Sequence, residues 1–367
     1  MAASHVTFED AALALLDAAM DPSRWGDAMD RVAAFAGATG TMLIHTRGPR
    51  PGYPLSRSVA EGIDIYFREG WNLRDERTRG LPFMRRRGAF VDQDFVDRDE
   101  LKRSAYYDYL RRFGINWSAG IGVSDVEEEL ALMIYFSDRH GHVSPTEVAS
   151  LMRLRPHVNA AARLSRNLAF ANATGMVDAY QSLGCPSVML GRGGRVIRLN
   201  AAAEPLIGNG LTLSRGALSC VRADDARAMA ALIARLCEAE AAAAQDAPAP
   251  VVVRRSGRRP LIVDGIRLAG IAHEVFSPAK AILLISDPER TPAAMSPELV
   301  RSAFGLTQAE ATLASHLARE IPLLQAAELM GVSPETARSH LKRIFAKTDT
   351  NRQAELLLVM RRLRPAS

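Results

Sequence analysis

Six side chains near the end of this 367-residue chain have the types and spacing to grip a polyanion: Thr336, Arg338, Ser339, Lys342, Arg343 and Lys347. Between Pro334 and Lys347, four Lys/Arg stand against the single acid Glu335, four minus one, a net of +3. Ala337, Leu341 and Ile344 recur at spacings of four and three. A helix would turn these three inward and the six polar residues outward. Arginine and lysine neutralise phosphate oxygens, and small hydroxyls near a helix N-terminus approach bases and phosphates closely. The expected chemistry is therefore recognition of double-stranded DNA.

The elements that must position this helix are legible around it. Leu313, Leu317, Leu324, Ala327 and Leu329 recur at helical spacing and are expected to pack one face of two preceding helices. Pro322 suits a first helical turn, and Gly331 can end that helix in a left-handed conformation. Ser333 is a good N-cap, with Pro334 at the first helical position. The pattern is a helix-turn-helix whose second helix lies in a major groove; the alternative is a solvated basic face on an ordinary helical hairpin. His340 reads as a packing or phosphate-facing residue, with no second metal ligand at a suitable spacing. A final helix, about Arg352 to Leu363, carries Leu356, Leu357, Leu358, Val359, Met360 and Leu363. It is apolar on more than one face, which predicts a homodimer presenting paired recognition helices. The alternative is that the rest of the chain covers it.

From Leu306 to about Leu358 the chain closely resembles the DNA-binding domain of the LuxR family of bacterial regulators. The resemblance rests on Leu306-Thr307, Glu310, Gly331-Val332-Ser333, Thr336, Arg338, His340-Leu341, Ile344, Lys347, Arg352 and Ala354-Glu355-Leu356. It implies that the six polar residues contact DNA and that the fourth helix supports a dimer. Thr348 and Asp349 depart from the family, which usually has an apolar residue and a glycine there.

The first 170 residues resemble an autoinducer-binding or GAF-like domain. Quorum-sensing members of the same family have a Tyr, an Asp nine residues later, an aromatic beyond it and a glycine entering a strand; this chain offers Tyr66, Asp75, Phe90 and Gly120. A phenol and a carboxylate in a mostly apolar pocket can orient a small polar head group. The resemblance gives Tyr66, Asp75 and Phe90; Trp71, as a substitute for the family's tryptophan where Gly62 stands, and Trp117, as an aromatic able to line a pocket, complete a ligand-binding set of Tyr66, Trp71, Asp75, Phe90 and Trp117. Glu76 replaces the family's proline. These departures count against an acyl-homoserine lactone. The same aromatics, with Tyr106, Tyr107 and Phe113, read equally as core, and Asp75 among Arg74, Arg77 and Arg79 reads equally as a solvated ion pair. Arg85-Arg86-Arg87 reads as a surface loop, or else as an anion site or an auxiliary DNA contact.

Local patterns in this region predict helices over Phe8 to Met20, Trp25 to Phe35, Ile63 to Glu69 and Leu101 to Phe113. Strands are expected at Thr41 to His45, Ile121 to Ser124 and Leu130 to Phe136. A long helix follows over Pro145 to Ala169, with Pro156 placed to kink it. In the middle region a helix end covers Val177 to Leu183. Ser187 to Leu190 and Val196 to Leu199 then form a hairpin, and Asn200 caps a short helix. Strands follow at Val251 to Arg254, Leu261 to Leu268 and Ala281 to Ile285. Val188 to Glu204 resembles PAS sequences. His273 reads as a partly exposed structural residue, and Glu238 to Pro250 as a fraying helix running into a loop.

Composition excludes several classes. Hydrophobic content of 48% and charged content of 24% are ordinary for a globular protein, and a net charge of +5 would not by itself suggest DNA. Cys185, Cys220 and Cys237 are odd in number and lack metal or redox spacing, as expected in a reducing cytoplasm. No signal peptide and no membrane-length apolar stretch is apparent. A nucleophile elbow, P-loop, metal cluster and dinucleotide fingerprint are all missing, and Gly191 to Gly194 joins strand to strand. No enzyme activity and no cofactor are expected.

The expected architecture is α+β and multidomain. Residues 1–170 form a ligand-sensing α/β domain, 175–286 a PAS-like domain, 287–303 a linker and 304–367 an all-α four-helix helix-turn-helix domain. Both sensor domains should have antiparallel sheets with flanking helices. The expected function is a dimeric, ligand-responsive transcription regulator, with RNA polymerase as a further partner. The alternative is a ligand-independent regulator whose sensor domains mediate dimer or partner contacts.

Overall fold

The computed structural model describes residues 6–47, 52–124, 129–237, 248–290 and 297–362. The first region begins with α1 (Phe8–Met20), α2 (Trp25–Ala36) and β1 (Gly40–His45). Then come α3 (Ala60–Arg68), α4 (Leu81–Arg87), β2 (Ala89–Val91), α5 (Arg98–Arg103) and α6 (Ala105–Arg111). β3 (Trp117–Ser124), β4 (Glu129–Phe136), α7 (Pro145–Met152) and α8 (Arg155–Ser182) complete it. Its strands form an antiparallel sheet in the order β1-β4-β3-β2. Every residue of β1 is buried, because helices cover both faces of the sheet.

Two expected long helices are each divided. Leu101 to Phe113 breaks at Ser104, whose hydroxyl accepts from the backbone N–H of Tyr106 and Tyr107 and so restarts the chain as α6. Pro145 to Ala169 breaks before Pro156, which sits in the first turn of α8 instead of kinking a continuous helix. Helix α8 then runs 28 residues, about 42 Å at 1.5 Å per residue. The boundary expected between residues 170 and 175 lies inside it. Val158, Ala161 and Ala162 pack into the first core, whereas Ala173 and Val177 pack on the second sheet.

That second sheet comes from β5 (Ser187–Gly191), β6 (Val196–Leu199), β9 (Val251–Arg255), β10 (Arg258–Arg267) and β11 (Ala279–Ser286). Its order is β6-β5-β11-β10-β9, all antiparallel. A hairpin of β7 (Leu211–Ser214) and β8 (Ala217–Cys220), and the helix α9 (Ala223–Cys237), lie between β6 and β9. The hairpin was not expected from the sequence; α9 ends at Cys237, directly before the segment read as the fraying end of a helix. Asn200 accepts the N–H of Ala203 as a cap does, but the turn it opens does not lead into an α-helix. Its side chain clamps the β5–β6 hairpin, accepting from the N–H groups of Ser187 and Ala203 at 3.0 Å and donating to the Cys185 carbonyl at 2.8 Å. A single 3-10 turn, Glu204–Leu206, follows. Alternation along the strands feeds two cores: Val188, Leu190, Val263 and Leu283 face α9, while Met189 and Ile282 face α8. Most of the expected Glu238 to Pro250 segment (238–247) lies outside the described residues.

The last region is helical: α10 (Pro297–Phe304), α11 (Gln308–Ala318), α12 (Leu323–Leu329), α13 (Pro334–Thr348) and α14 (Gln353–Arg362). The expected linker 287–303 is corrected here, since α10 is a helix whose Val300 is fully buried in the core of this domain. The phase of α12 differs from expectation too. Ala326 and Ala327 face the core, whereas Leu324 and Leu329 are exposed. Leu363 lies outside the described residues.

A candidate ligand cavity and a candidate nucleic-acid interface

In the first domain the sheet and the helices α3 and α6 enclose a cavity of about 90 Å³. Met42 and Ile44 of β1, Phe90 of β2 and Ala131, Met133 and Tyr135 of β4 form one wall. Ile63 and Tyr66 of α3, with Tyr106, Tyr109 and Leu110 of α6, form the other. Asp75, Arg77 and Thr78 reach it from a 3-10 turn spanning Glu76–Gly80. With three residues per turn, Arg77 and Gly80 share the inner side, and both are buried. A Cβ on Gly80 would lie 2.5 Å from the Phe90 ring, and one on Gly120 would lie 2.1 Å from it. The two glycines thus make the slot that seats Phe90.

Three of the five expected ligand residues, Tyr66, Asp75 and Phe90, meet at this cavity. Trp71 and Trp117 are not among its lining residues. Trp71 stacks on the outer side of Tyr109, ring centroids 4.9 Å apart, with the Arg74 guanidinium 4.0 Å above it. Trp117 is a core residue, edge-on to His142 at 4.4 Å. Trp71 does not take the place vacated at Gly62. Phe113 does, since a Cβ on Gly62 would lie 2.9 Å from its ring. Tyr109 donates its hydroxyl to the Gly62 carbonyl and holds α6 against α3. Glu76 accepts the Ser104 hydroxyl at 2.6 Å, so it anchors the start of the helix that carries Tyr106 and Tyr109.

Asp75 is not an ion-pair partner of Arg74 or Arg79. One oxygen accepts the Tyr66 hydroxyl at 2.7 Å and the other accepts the Arg77 N–H at 2.8 Å. Burial and the Asp75 charge push the Tyr66 phenol far above its ordinary range, so it remains a donor. The residue that sequence reading missed is Arg77, only 5% exposed. Its guanidinium lies 5.1–5.9 Å from the ring centroids of Tyr106, Tyr107 and Tyr135, within cation–π range. Its nearest carboxylate is Asp92, with Nε to Oδ1 at 3.7 Å, beyond a hydrogen bond. Both Nε and Nη2 of Arg77 are buried without a hydrogen-bond partner. Burial pushes the Asp92 carboxyl up to about 6, against the opposing pull of Arg77 and of Ser118, whose hydroxyl donates at 2.9 Å. Nothing in residue type separates Arg77 from Arg74 and Arg79. The available signal was Gly80 three residues on, marking the inner face of the turn.

Arg85, Arg86 and Arg87 form the last turn of α4, not a loop. Arg85 pairs with Glu129 at 2.8 Å, and Arg87 pairs with Asp94. His273 is half-buried, and burial lowers its pKa. Among the described residues no group of three or more His, Cys, Asp or Glu is placed to hold a metal ion, and no helix is long and apolar enough to cross a membrane.

In the last domain, Ser333 caps α13 by accepting the Thr336 N–H at 3.2 Å. Ala337 and Ile344 are fully buried, and Thr336, Arg338, Ser339, Lys342 and Arg343 are exposed on the opposite side. Lys347 differs. Its ammonium donates to buried Glu310 at 2.7 Å and to the Gly305 carbonyl at 3.2 Å, which ties α13 to α11. Burial works against a charged Glu310, yet the bonds from Lys347 and Thr307 hold its pKa below the ordinary value. Asp349 ends α13 in the left-handed conformation, φ 51°, a place where glycine is usual and Asp is tolerated. On α14, Leu356 and Met360 are buried while Leu358 is 56% exposed.

No protein-family model matches this chain, and no curated protein does. Among solved structures, the chain is similar to the VqsR LBD domain from Pseudomonas aeruginosa (19% identity, 43% of this chain and 94% of that one, TM-score 0.34). It is also similar to a phage VqmA in its complex with DPO (17%, 53% and 89%, TM-score 0.24). A third is CepR2 from Burkholderia cenocepacia, an N-acylhomoserine lactone dependent LuxR family transcription factor (16%, 42% and 91%, TM-score 0.31).

Proposed function

We propose that this chain is a DNA-binding transcription regulator that responds to a small organic molecule held in the first domain. The observation that carries the reading is the outward face of α13. Five hydroxyl and cationic side chains stand exposed on a helix whose inner residues are locked in a core. Such a face delivers cations to phosphates and side chains to base edges. A dimer through α14, where Leu358 is left uncovered, would pair two such helices on half-sites.

The ligand half of the reading rests on the cavity, mostly apolar with a few convergent polar groups. A route from it toward the rest of the chain is built in. On β1, Met42 and Ile44 face the cavity, while Thr41 donates its hydroxyl to the Met29 carbonyl of α2 at 2.8 Å. Trp25, also on α2, stacks on Phe276, ring centroids 4.9 Å apart. Phe276 belongs to a π-helical turn, Ala272–Phe276, and with Val275 it is buried in the core of the first domain. Lys280 fastens that turn by donating to the carbonyls of His273 and Glu274 at 2.5 and 3.0 Å. A ligand acts through such a route only by its difference in affinity for the two arrangements.

A second reading has an observation of its own. Leu13, Leu16 and Met20 lie exposed along one side of α1, the sort of face that a partner protein covers. Retardation of promoter fragments at low ionic strength, with and without small organic molecules, tests the proposal. Ligand-dependent retardation is expected. Failure to retard any fragment would remove the DNA claim, and retardation indifferent to every molecule tried would favour the partner reading.

A further inference from the structure

We infer that the cavity of the first domain is built for a compact organic acid, whose carboxylate engages Arg77. This deepens the ligand reading above and rests on it.

The argument starts from which hydrogen bonds are already made. Both oxygens of Asp75 are engaged by donors of the protein itself, Tyr66 and the Arg77 backbone. Asp75 therefore has little left to offer a donor on a ligand. Arg77 is the opposite case: it lines the cavity, is almost wholly buried, and leaves Nε and Nη2 without hydrogen-bond partners. Those two atoms form one edge of the guanidinium, the geometry that takes both oxygens of a carboxylate. Asp92 stands 3.7 Å from Nε without bonding it, and both atoms are covered, so a ligand carboxylate reaches them as the guanidinium turns toward the cavity. A buried cation with open donors calls for an acceptor carrying charge, and a neutral carbonyl satisfies it less well. The walls set the rest of the molecule. Tyr109, Phe113 and Leu110 present apolar surface, and at about 90 Å³ the space is smaller than the roughly 150 Å³ cavity that takes benzene. That favours a short-chain acid or a single ring seated by a small adjustment of the walls.

Charge balance then makes a second demand. Asp92 is the present counter-ion of Arg77, and it faces Arg77 from the 3-10 turn, Tyr107 from α6, Ser118 from β3 and Tyr135 from β4. A second carboxylate on the same guanidinium repels the first. Asp92, already held near 6 by burial, is then driven to take up a proton as the acid binds. Proton uptake means that affinity is highest at or below about pH 6 and falls as pH rises above it.

The test uses the full chain and three probe pairs: butyrate, hexanoate and benzoate, each against its primary amide, read by calorimetry and thermal shift. At least one acid should bind ten or more times tighter than its amide. Its affinity should fall between pH 6 and pH 8, approaching tenfold per unit, and that slope should vanish in Asp92→Asn. Arg77→Met should abolish the preference for the acid; should that variant not fold, the pH slope of the native chain still decides. Amides binding as tightly as acids would overturn the inference and leave the ligand reading standing, as would a flat pH profile. Neither member of any pair binding would overturn it as well, and DNA retardation indifferent to a wider set of neutral molecules would take the ligand reading with it.

Discussion

The first and second domains both wrap helices around an antiparallel sheet, yet they treat the space over the sheet in opposite ways. In the first, aromatic residues bridge from α3 and α6 to the strands and leave a hollow that contains a buried cation. In the second, α9 lies so close to the strands that a Cβ on Gly265 would be 2.2 Å from Leu236 and one on Gly194 would be 2.2 Å from Ile233. Glycines on one side and branched apolar residues on the other let helix and sheet meet without a gap. The difference supports placing the proposed ligand in the first domain: a ligand needs room and unmet polar groups, and both are found there. The second domain instead lends its π-helical turn to the first, as a plug.

The largest expected effect comes from the buried charge. Arg77→Met leaves Asp92 without its counter-ion, a loss of about 3–5 kcal/mol for a broken buried pair. All three tryptophans, Trp25, Trp71 and Trp117, lie in the first domain, so intrinsic fluorescence follows its unfolding alone. The loss should be greatest at pH 8 and shrink toward pH 5. The sign follows from Asp92: with its folded pKa raised to about 6, it accepts a proton below that pH and ceases to be an unpaired charge. A pH-independent loss would show that the pair is not what Arg77 supports.

Next in size is the contact between the two domains. Phe276→Ala removes a ring stacked on Trp25 and should destabilise the first domain by about 3 kcal/mol, the ordinary scale for a buried aromatic. The substitution lies outside residues 1–170, so an unchanged tryptophan unfolding curve would mean that the domains stand apart in solution and that the route through Phe276 is not used.

The contrast of interiors is sharpened by adding a methyl group or two on each side. Gly265→Ala drives a Cβ into Leu236 and should cost about 1–3 kcal/mol, as overpacking does. Ala131→Val adds bulk to the cavity wall on a strand, where a branched residue fits, and should change stability by less than about 1 kcal/mol. Thermal unfolding followed by circular dichroism measures both. Equal losses would mean that the hollow is no roomier than the filled interior.

How much of this was readable beforehand follows from the range of the forces involved. Local signals gave α1 from Phe8 to Met20, the Ser333 cap and the β5–β6 pair, because capping and periodicity act within a few residues. Two strands followed later by three were legible as a succession, and so was the end of a helix near Glu238, but not that this helix, α9, covers the sheet. Its meaning depends on glycines more than 25 residues away in sequence, on β6's approach and on β10. Tyr66, Asp75 and Phe90 were found through a family resemblance. Arg77 was hidden among three similar arginines, and only the 3-10 turn decides which of them points inward. Trp71 and Trp117 show the converse: an aromatic near a site is no evidence of lining it, because neighbouring core positions want the same residue. Lys347 has the type and spacing of a phosphate contact, and Glu310, thirty-seven residues earlier, reassigns it.

That reassignment gives the smallest and most discriminating experiment. Lys342 is exposed on the outer face of α13, so Lys342→Ala should weaken binding to all DNA sequences, flatten the salt dependence by about one unit and leave the stability of the domain unchanged. Lys347→Ala should do the reverse. It strips buried Glu310 of its ammonium partner, loosens α13 from α11 and lowers thermal stability, while the salt slope measured below the transition stays near that of the native chain. Protonating Glu310 stands in for the lost ammonium, so the deficit should narrow as pH falls toward the ordinary carboxylate range. A slope reduced by one unit with stability intact would return Lys347 to the phosphates and make its bond to Glu310 a resting contact given up on DNA.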